Sequence, residues 1–187
     1  MFINKSDKRE FFTNFRVLYE LARMFSKDKI RWLLAGSTAS FLNGLDIEPR
    51  DIDILIIKED IEKVKQILSK HYQVIKPIEY SETDLFASFF GKYRKENVLI
   101  ETIGNFKIKY EDGIFYVPFD ILQQYSVKKQ LRDVEVITVP LEWQLVANAM
   151  IPNKKDRVYK IVNHLKEKGL NINALKAFLE YAPDSIK

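Results

Sequence analysis

The chain has 187 residues, 47% hydrophobic and 13% aromatic, with 30 Lys and Arg against 26 Asp and Glu for a net charge of +4. This suits one globular unit with a sizeable core and excludes a disordered chain or one built around a dense basic tract. With no cysteine and only His71 and His164, disulfides and thiolate nucleophiles are excluded, and any metal is expected to be a hard cation on oxygen ligands.

Phe11, Phe12, Phe15, Leu18, Tyr19, Ala22 and Phe25 recur at helical spacing over 7–27, with Asp7 and Glu10 placed as a capping box. A strand is expected over 31–35 (RWLLA), a short helix over 38–44 and a second strand over 51–57 (DIDILII). An amphipathic helix follows over 59–71, with Ile61, Val64, Ile67 and Leu68 on one face, then strands over 72–78, 84–91 and 97–103. Asp112 and Gly113 mark a hairpin turn. Pro140 marks a switch from the strand VEVITV to helices over 140–150, 155–167 and 173–181, with Gly169 closing the second and Asn173 capping the third. The expected class is α/β (α+β): a mixed sheet core over 1–139 flanked by helices, then a helical tail over 140–187. No Gly/Ser/Pro-rich linker separates the two, so one compact unit is expected. The opening MFINKSDKREFF lacks the apolar stretch of a signal peptide, and no apolar run approaches the ~20 residues of a membrane span. A cytoplasmic protein away from membranes is the expectation.

The chemistry concentrates in LLAGSTASFLNGLDIEPRDIDILII, residues 33–57. Alternate residues of a strand share a face, so Asp51 and Asp53 project together while Ile52, Ile54 and Ile56 project to the other side. Two close carboxylates in a half-buried place repel one another unless a proton or a cation intervenes. Together they can reach a pair of divalent ions about 3.5–4 Å apart. By itself Asp-x-Asp is more often a solvated strand end, here beside Arg50. Gly36 and Ser37, however, follow a strand and open a helix, where glycine permits close approach of the backbone and free N–H groups face an anion. An anion cradle beside a divalent-cation site is what a nucleoside triphosphate with magnesium requires. A third acid is then expected. Glu101 shares a strand face with Leu99 and Ile103. It is either a solvated residue opposite a core face of Val98, Ile100 and Thr102 or, given the aspartates, the third ligand, ahead of Glu96 and Asp84.

These elements resemble the nucleotidyltransferase superfamily that includes DNA polymerase beta and the small antibiotic nucleotidyltransferases. Its pattern is Gly-Ser or Gly-Gly, a spacer of about a dozen residues, Asp-x-Asp among apolar neighbours, and a later acid inside a strand. Here these are Gly36 and Ser37, residues 38–50, Asp51, Ile52 and Asp53, and Ile100, Glu101 and Thr102. Downstream, VPLEWQLVANAM and the Lys155 and Asp156 pair resemble the helical tail of the lincosamide and abortive-infection types, although Asn148 or a neighbour stands where a first lysine is expected.

The resemblance implies a metal-dependent transfer of a nucleoside monophosphate from a nucleoside triphosphate to an acceptor hydroxyl, with release of pyrophosphate. It implies two Mg2+ ions (Mn2+ as a substitute) on Asp51, Asp53 and Glu101, with Glu101 able to take the acceptor's proton. Gly36 and Ser37 would hold the triphosphate, with Arg50 and Lys155 as phosphate cations or ordinary surface ion pairs. The acceptor stays open between a small molecule, a protein side chain and an RNA end. The alternative is the same fold without turnover, acting with a protein partner, for example as a toxin–antitoxin component. A nucleic-acid-binding module is disfavoured because the aromatics fall at core spacing rather than among Lys/Arg runs.

Overall fold

The computed structural model describes the backbone of residues 5–187 and the side chains of residues 13–187. The capping pair Asp7 and Glu10, with Phe11 and Phe12, lies outside the side chains described. Helix α1 (Lys5–Lys27) leads into β1 (Trp32–Ala35), α2 (Gly36–Leu42) and β2 (Ile52–Ile56). A 3-10 turn and α3 (Ile61–His71) follow, then β3 (Gln73–Glu82), β4 (Phe86–Lys95), β5 (Val98–Tyr110) and β6 (Gly113–Phe115). After α4 (Phe119–Gln124) come β7 (Val127–Leu131) and β8 (Val134–Thr138), and then α5 (Leu141–Ala149), α6 (Lys155–Lys168) and α7 (Ile172–Leu179).

The strands form one mixed sheet in the order β3-β4-β5-β2-β1-β8-β7, with β6 paired to β5. β2 runs parallel to β5 and antiparallel to β1, and β1 runs parallel to β8. Register decides which side chains share a face. Ile52, Ile54 and Ile56 lie level with Ile100, Thr102 and Gly104, while Asp53 lies level with Glu101 and Leu55 with Ile103. The first set is backed by helices: a Cβ on Gly104 would meet Ile61 Cδ1 of α3 at 2.6 Å, and Trp32, level with Ile56, meets Phe25 of α1 edge to face. The acids therefore stand on the face turned away from α1 and α3.

Strand β5 carries one extra residue. Ala87 pairs with Lys107 but Phe89 with Gly104, and Asn105 within that gap has φ 53°. This is a β-bulge, which locally resets the alternation of side chains. Beyond it Phe106 meets Trp143 of α5 at a ring-centroid distance of 6.2 Å.

The carboxy-terminal helices are not loosely appended. Trp143, Val146, Ala147, Met150, Ala174 and Phe178 belong to the same buried cluster as Leu33, Leu34, Ile54 and Ile100. Buried Glu142 accepts from the Asn171 N–H at 2.9 Å, tying α5 to the start of α7. That start corrects one expectation: Asn171, not Asn173, is the N-cap, its side chain accepting from Ala174 N at 3.1 Å. Gly169 ends α6 with φ 112°. Strand β3 runs past its expected end to Glu82. It is an edge strand, and its register shifts around Pro77, which has no N–H to offer.

Candidate active site

Strand β1 delivers Ala35 level with Asp53, and the chain turns at once into α2 through Gly36, whose φ is 66°. A Cβ on Gly36 would lie 1.7 Å from Asp53 Oδ2, so only glycine lets the backbone pass over that carboxylate. Helix α2 is then fixed to the segment carrying the aspartates. Ser37 Oγ accepts from Arg50 N at 3.0 Å, and Thr38 Oγ1 donates to the Asp51 carbonyl at 2.8 Å. Asn14 of α1 donates to the Arg50 carbonyl at 2.9 Å. Three hydrogen bonds with α1 and α2 thus converge on Arg50 and Asp51, which no regular strand pairing holds.

Asp51, Asp53 and Glu101 are all half-buried. Asp53 and Glu101 are direct neighbours across the parallel β2–β5 pair, and Asp51 sits two residues earlier on the Asp53 side. Burial, then Glu101, then Asp51 push the Asp53 carboxyl from 3.8 up to about 7. Burial and then Glu101 also raise Asp51, while Lys92 and Arg50 act against the rise.

Lys92 of β4 pairs level with Glu101, and its Nζ lies 2.6 Å from Glu101 Oε1. The Glu101 hydrogen bond raises the lysine's own pKa, with Asp51 and Asp53 adding to it. Sequence reading missed this residue, because only the pairing of β4 with β5 brings it to the acids. It also gave no role to half-buried Lys154 and Arg157, whose charges favour ionisation of Asp53. The expected tail lysine, Lys155, is exposed and lines a separate cavity with Tyr110, Met150 and Tyr159. Arg50 is exposed and influences Asp51 by charge. Asn148 is buried, and its side-chain amide donates to the Gln144 carbonyl of its own helix.

Among the described residues no group of three or more His, Cys, Asp or Glu side chains forms a ready metal cage. The donor set still suits a hard cation. The two aspartates and Glu101 offer only carboxylate oxygens, burial and then repulsion from neighbouring carboxylates raise the aspartate pKa values, and an ammonium already sits against Glu101 where positive charge is favoured. Among the described residues no helix is long and apolar enough to cross a membrane.

No protein-family model and no curated protein matches this chain. Solved structures do. A "putative nucleotidyltransferase" from Thermotoga maritima superposes with a TM-score of 0.64 at 26% identity, over 82% of this chain and 90% of that one. ANT(2")-Ia in complex with adenylyl-2"-tobramycin superposes at 0.56 with 10% identity, over 90% and 97% of the two chains. The lincosamide antibiotic adenylyltransferase LnuA aligns at 0.49 with 16% identity, over 86% and 97%. The mixed sheet that sets Asp53 beside Glu101 is thus a known architecture: this chain has the nucleotidyltransferase fold.

Proposed function

We propose that the protein is a nucleotidyltransferase that moves a nucleoside monophosphate from a nucleoside triphosphate to an acceptor hydroxyl, releasing pyrophosphate. The observation that carries the reading is the in-register pair of Asp53 and Glu101, with Asp51 on the same side and the Gly36 turn pressed onto Asp53. The likeness to the Thermotoga maritima protein supports the same kind of reaction.

In this reading Gly36 and Ser37 receive the triphosphate. Their backbone can approach it closely, and Ser37 keeps its hydroxyl proton for donation because its oxygen already accepts from Arg50 N. Arg157 and Lys154, whose charge Asp53 feels, neutralise phosphate oxygens. Asp51, Asp53 and Glu101 are the residues that hold magnesium, with manganese as a substitute. A metal held there would lower the pKa of the acceptor hydroxyl and offset charge on the departing pyrophosphate. Glu101 takes the acceptor's proton once Lys92 releases it, a general-base role. Catalysis rests mainly on positioning and charge neutralisation.

The test is pyrophosphate release from each ribonucleoside triphosphate with magnesium and a panel of small-molecule alcohols as acceptors, in wild type and in the Asp51→Asn and Asp53→Asn variants. Loss of at least a hundredfold in both, with folding intact, is expected. Retained turnover in both variants would falsify the reading.

A further inference from the structure

The acids do not end their sheet face. Two residues beyond Asp53 and Glu101 lie Leu55 and Ile103, level with one another, and both line a cavity of about 240 Å3. An extended chain advances about 7 Å over two residues, so the cavity floor begins one side-chain row from the acids. Its walls are aromatic: Phe106, Phe115, Phe119 and Trp143. Of its polar lining residues, Asn105, Lys58 and Asp120 have no hydrogen bond or ion pair from the side chain among the described residues, whereas Glu59 pairs with Arg31 at 3.6 Å and Lys107 lies over the Tyr116 ring. A pocket with aromatic walls and a few convergent polar groups is the usual form of a small-molecule site.

Its position states what it holds. The Gly36 turn lies over Asp53 and Ser37 holds the Arg50 backbone beside Asp51, whereas the cavity begins beyond Asp53, at Leu55 and Ile103. In-line displacement at phosphorus needs the incoming hydroxyl opposite the departing pyrophosphate. A triphosphate on Gly36 and Ser37 therefore leaves the cavity side for the acceptor. We propose that this pocket is the acceptor site, and that it takes a ring-bearing small-molecule alcohol with an amide-like polar group rather than an RNA end or a protein side chain. This rests on the transferase reading. The walls receive one ring, a volume near 240 Å3 matches one small molecule, and the Asn105 amide pairs with a group that both donates and accepts.

The probes are 4-(2-hydroxyethyl)benzamide, which carries ring, amide and alcohol, and 2-phenylethanol, which lacks the amide. Binding is followed by ligand-observed NMR with the full chain, alone and with a non-hydrolysable ATP analogue and magnesium. Two variants leave the acids untouched. Asn105→Gly deletes the amide at a position whose φ of 53° glycine tolerates, and Ile103→Phe fills the floor. The benzamide is expected to bind with and without the analogue, to weaken roughly tenfold in Asn105→Gly, and to be lost in Ile103→Phe. The phenylethanol is expected to ignore Asn105→Gly. No binding of either probe, indifference to both variants, or displacement by the ATP analogue overturns the proposal; the last would give the pocket to the nucleotide's base. Probe binding needs no turnover, so an inactive wild type that still binds the benzamide sinks the transferase reading and is distinguishable from failure of the pocket.

Discussion

Asp53 holds a proton that an ordinary aspartate would have lost. Its carboxyl is raised from 3.8 to about 7, so between those values the folded chain keeps a proton that the unfolded chain has released. Stability therefore falls as pH rises through that window and levels off above it. Asp53→Asn removes the titration. Allowing for screening at a half-buried site, the variant is expected to gain about 1–2 kcal/mol over wild type at pH 8 and almost nothing at pH 4. Melting curves from pH 4 to pH 8 check this, and a pH-independent difference would contradict the assignment. Magnesium held there as proposed would have to displace the same proton, so its stabilisation of the wild type is expected to grow over that range. Lys92 is the opposing charge. Lys92→Met is expected to tighten magnesium roughly threefold to tenfold while lowering the metal-free melting temperature, since one competing cation leaves Glu101. Calorimetric titration reads this, and weaker magnesium binding would make the lysine a positioner of Glu101 instead.

Helix α2 acts as a clamp on the aspartate segment. Thr38→Val removes the hydroxyl that donates to the Asp51 carbonyl. The expected cost is about 1 kcal/mol of stability, with pyrophosphate release slowed severalfold as Asp51 loosens. A lower melting temperature at unchanged rate would confine Thr38 to folding. The order of elements around the clamp was legible in the sequence because its signal is local: a strand, Gly36 and Ser37, a helix, and then Asp51 and Asp53 within one short stretch. The hydrogen bonds that Ser37 and Thr38 make with the aspartate segment were not. Local signals also found β2, α3, the Asp112 and Gly113 turn and α5. Others failed for physical reasons. Six-residue α4 is too short to show a helical period, and β7 reads VKKQL, an edge strand with little apolar content. Asn171 and Asn173 both stand where α7 begins, and composition does not choose between them. Lys92, Arg157 and the cavity floor depend on strand pairing and on how α6 returns to the sheet, and no spacing in the sequence encodes either.

Across the whole molecule the sheet and the tail share one buried interior. A chain ending at Val139 would forfeit Trp143, Val146, Met150 and Phe178, and bare the Leu33 and Leu55 side of the sheet. We expect it to lack a cooperative thermal transition, as followed by circular dichroism, whereas the full chain melts in one step. A separate tail transition in the full chain would instead divide the protein at that point. The bulge at Asn105 carries a different lesson. It interrupts β5 after Glu101 and before Phe106. Residues ahead of the interruption keep their phase whatever happens behind it, so adding or deleting one position there swings Phe106 and its successors around the strand axis and leaves the reactive carboxylates undisturbed. One strand thereby houses two separately adjustable halves. On the proposed reading, editing that single joint would exchange the clientele while the chemistry stayed as it was.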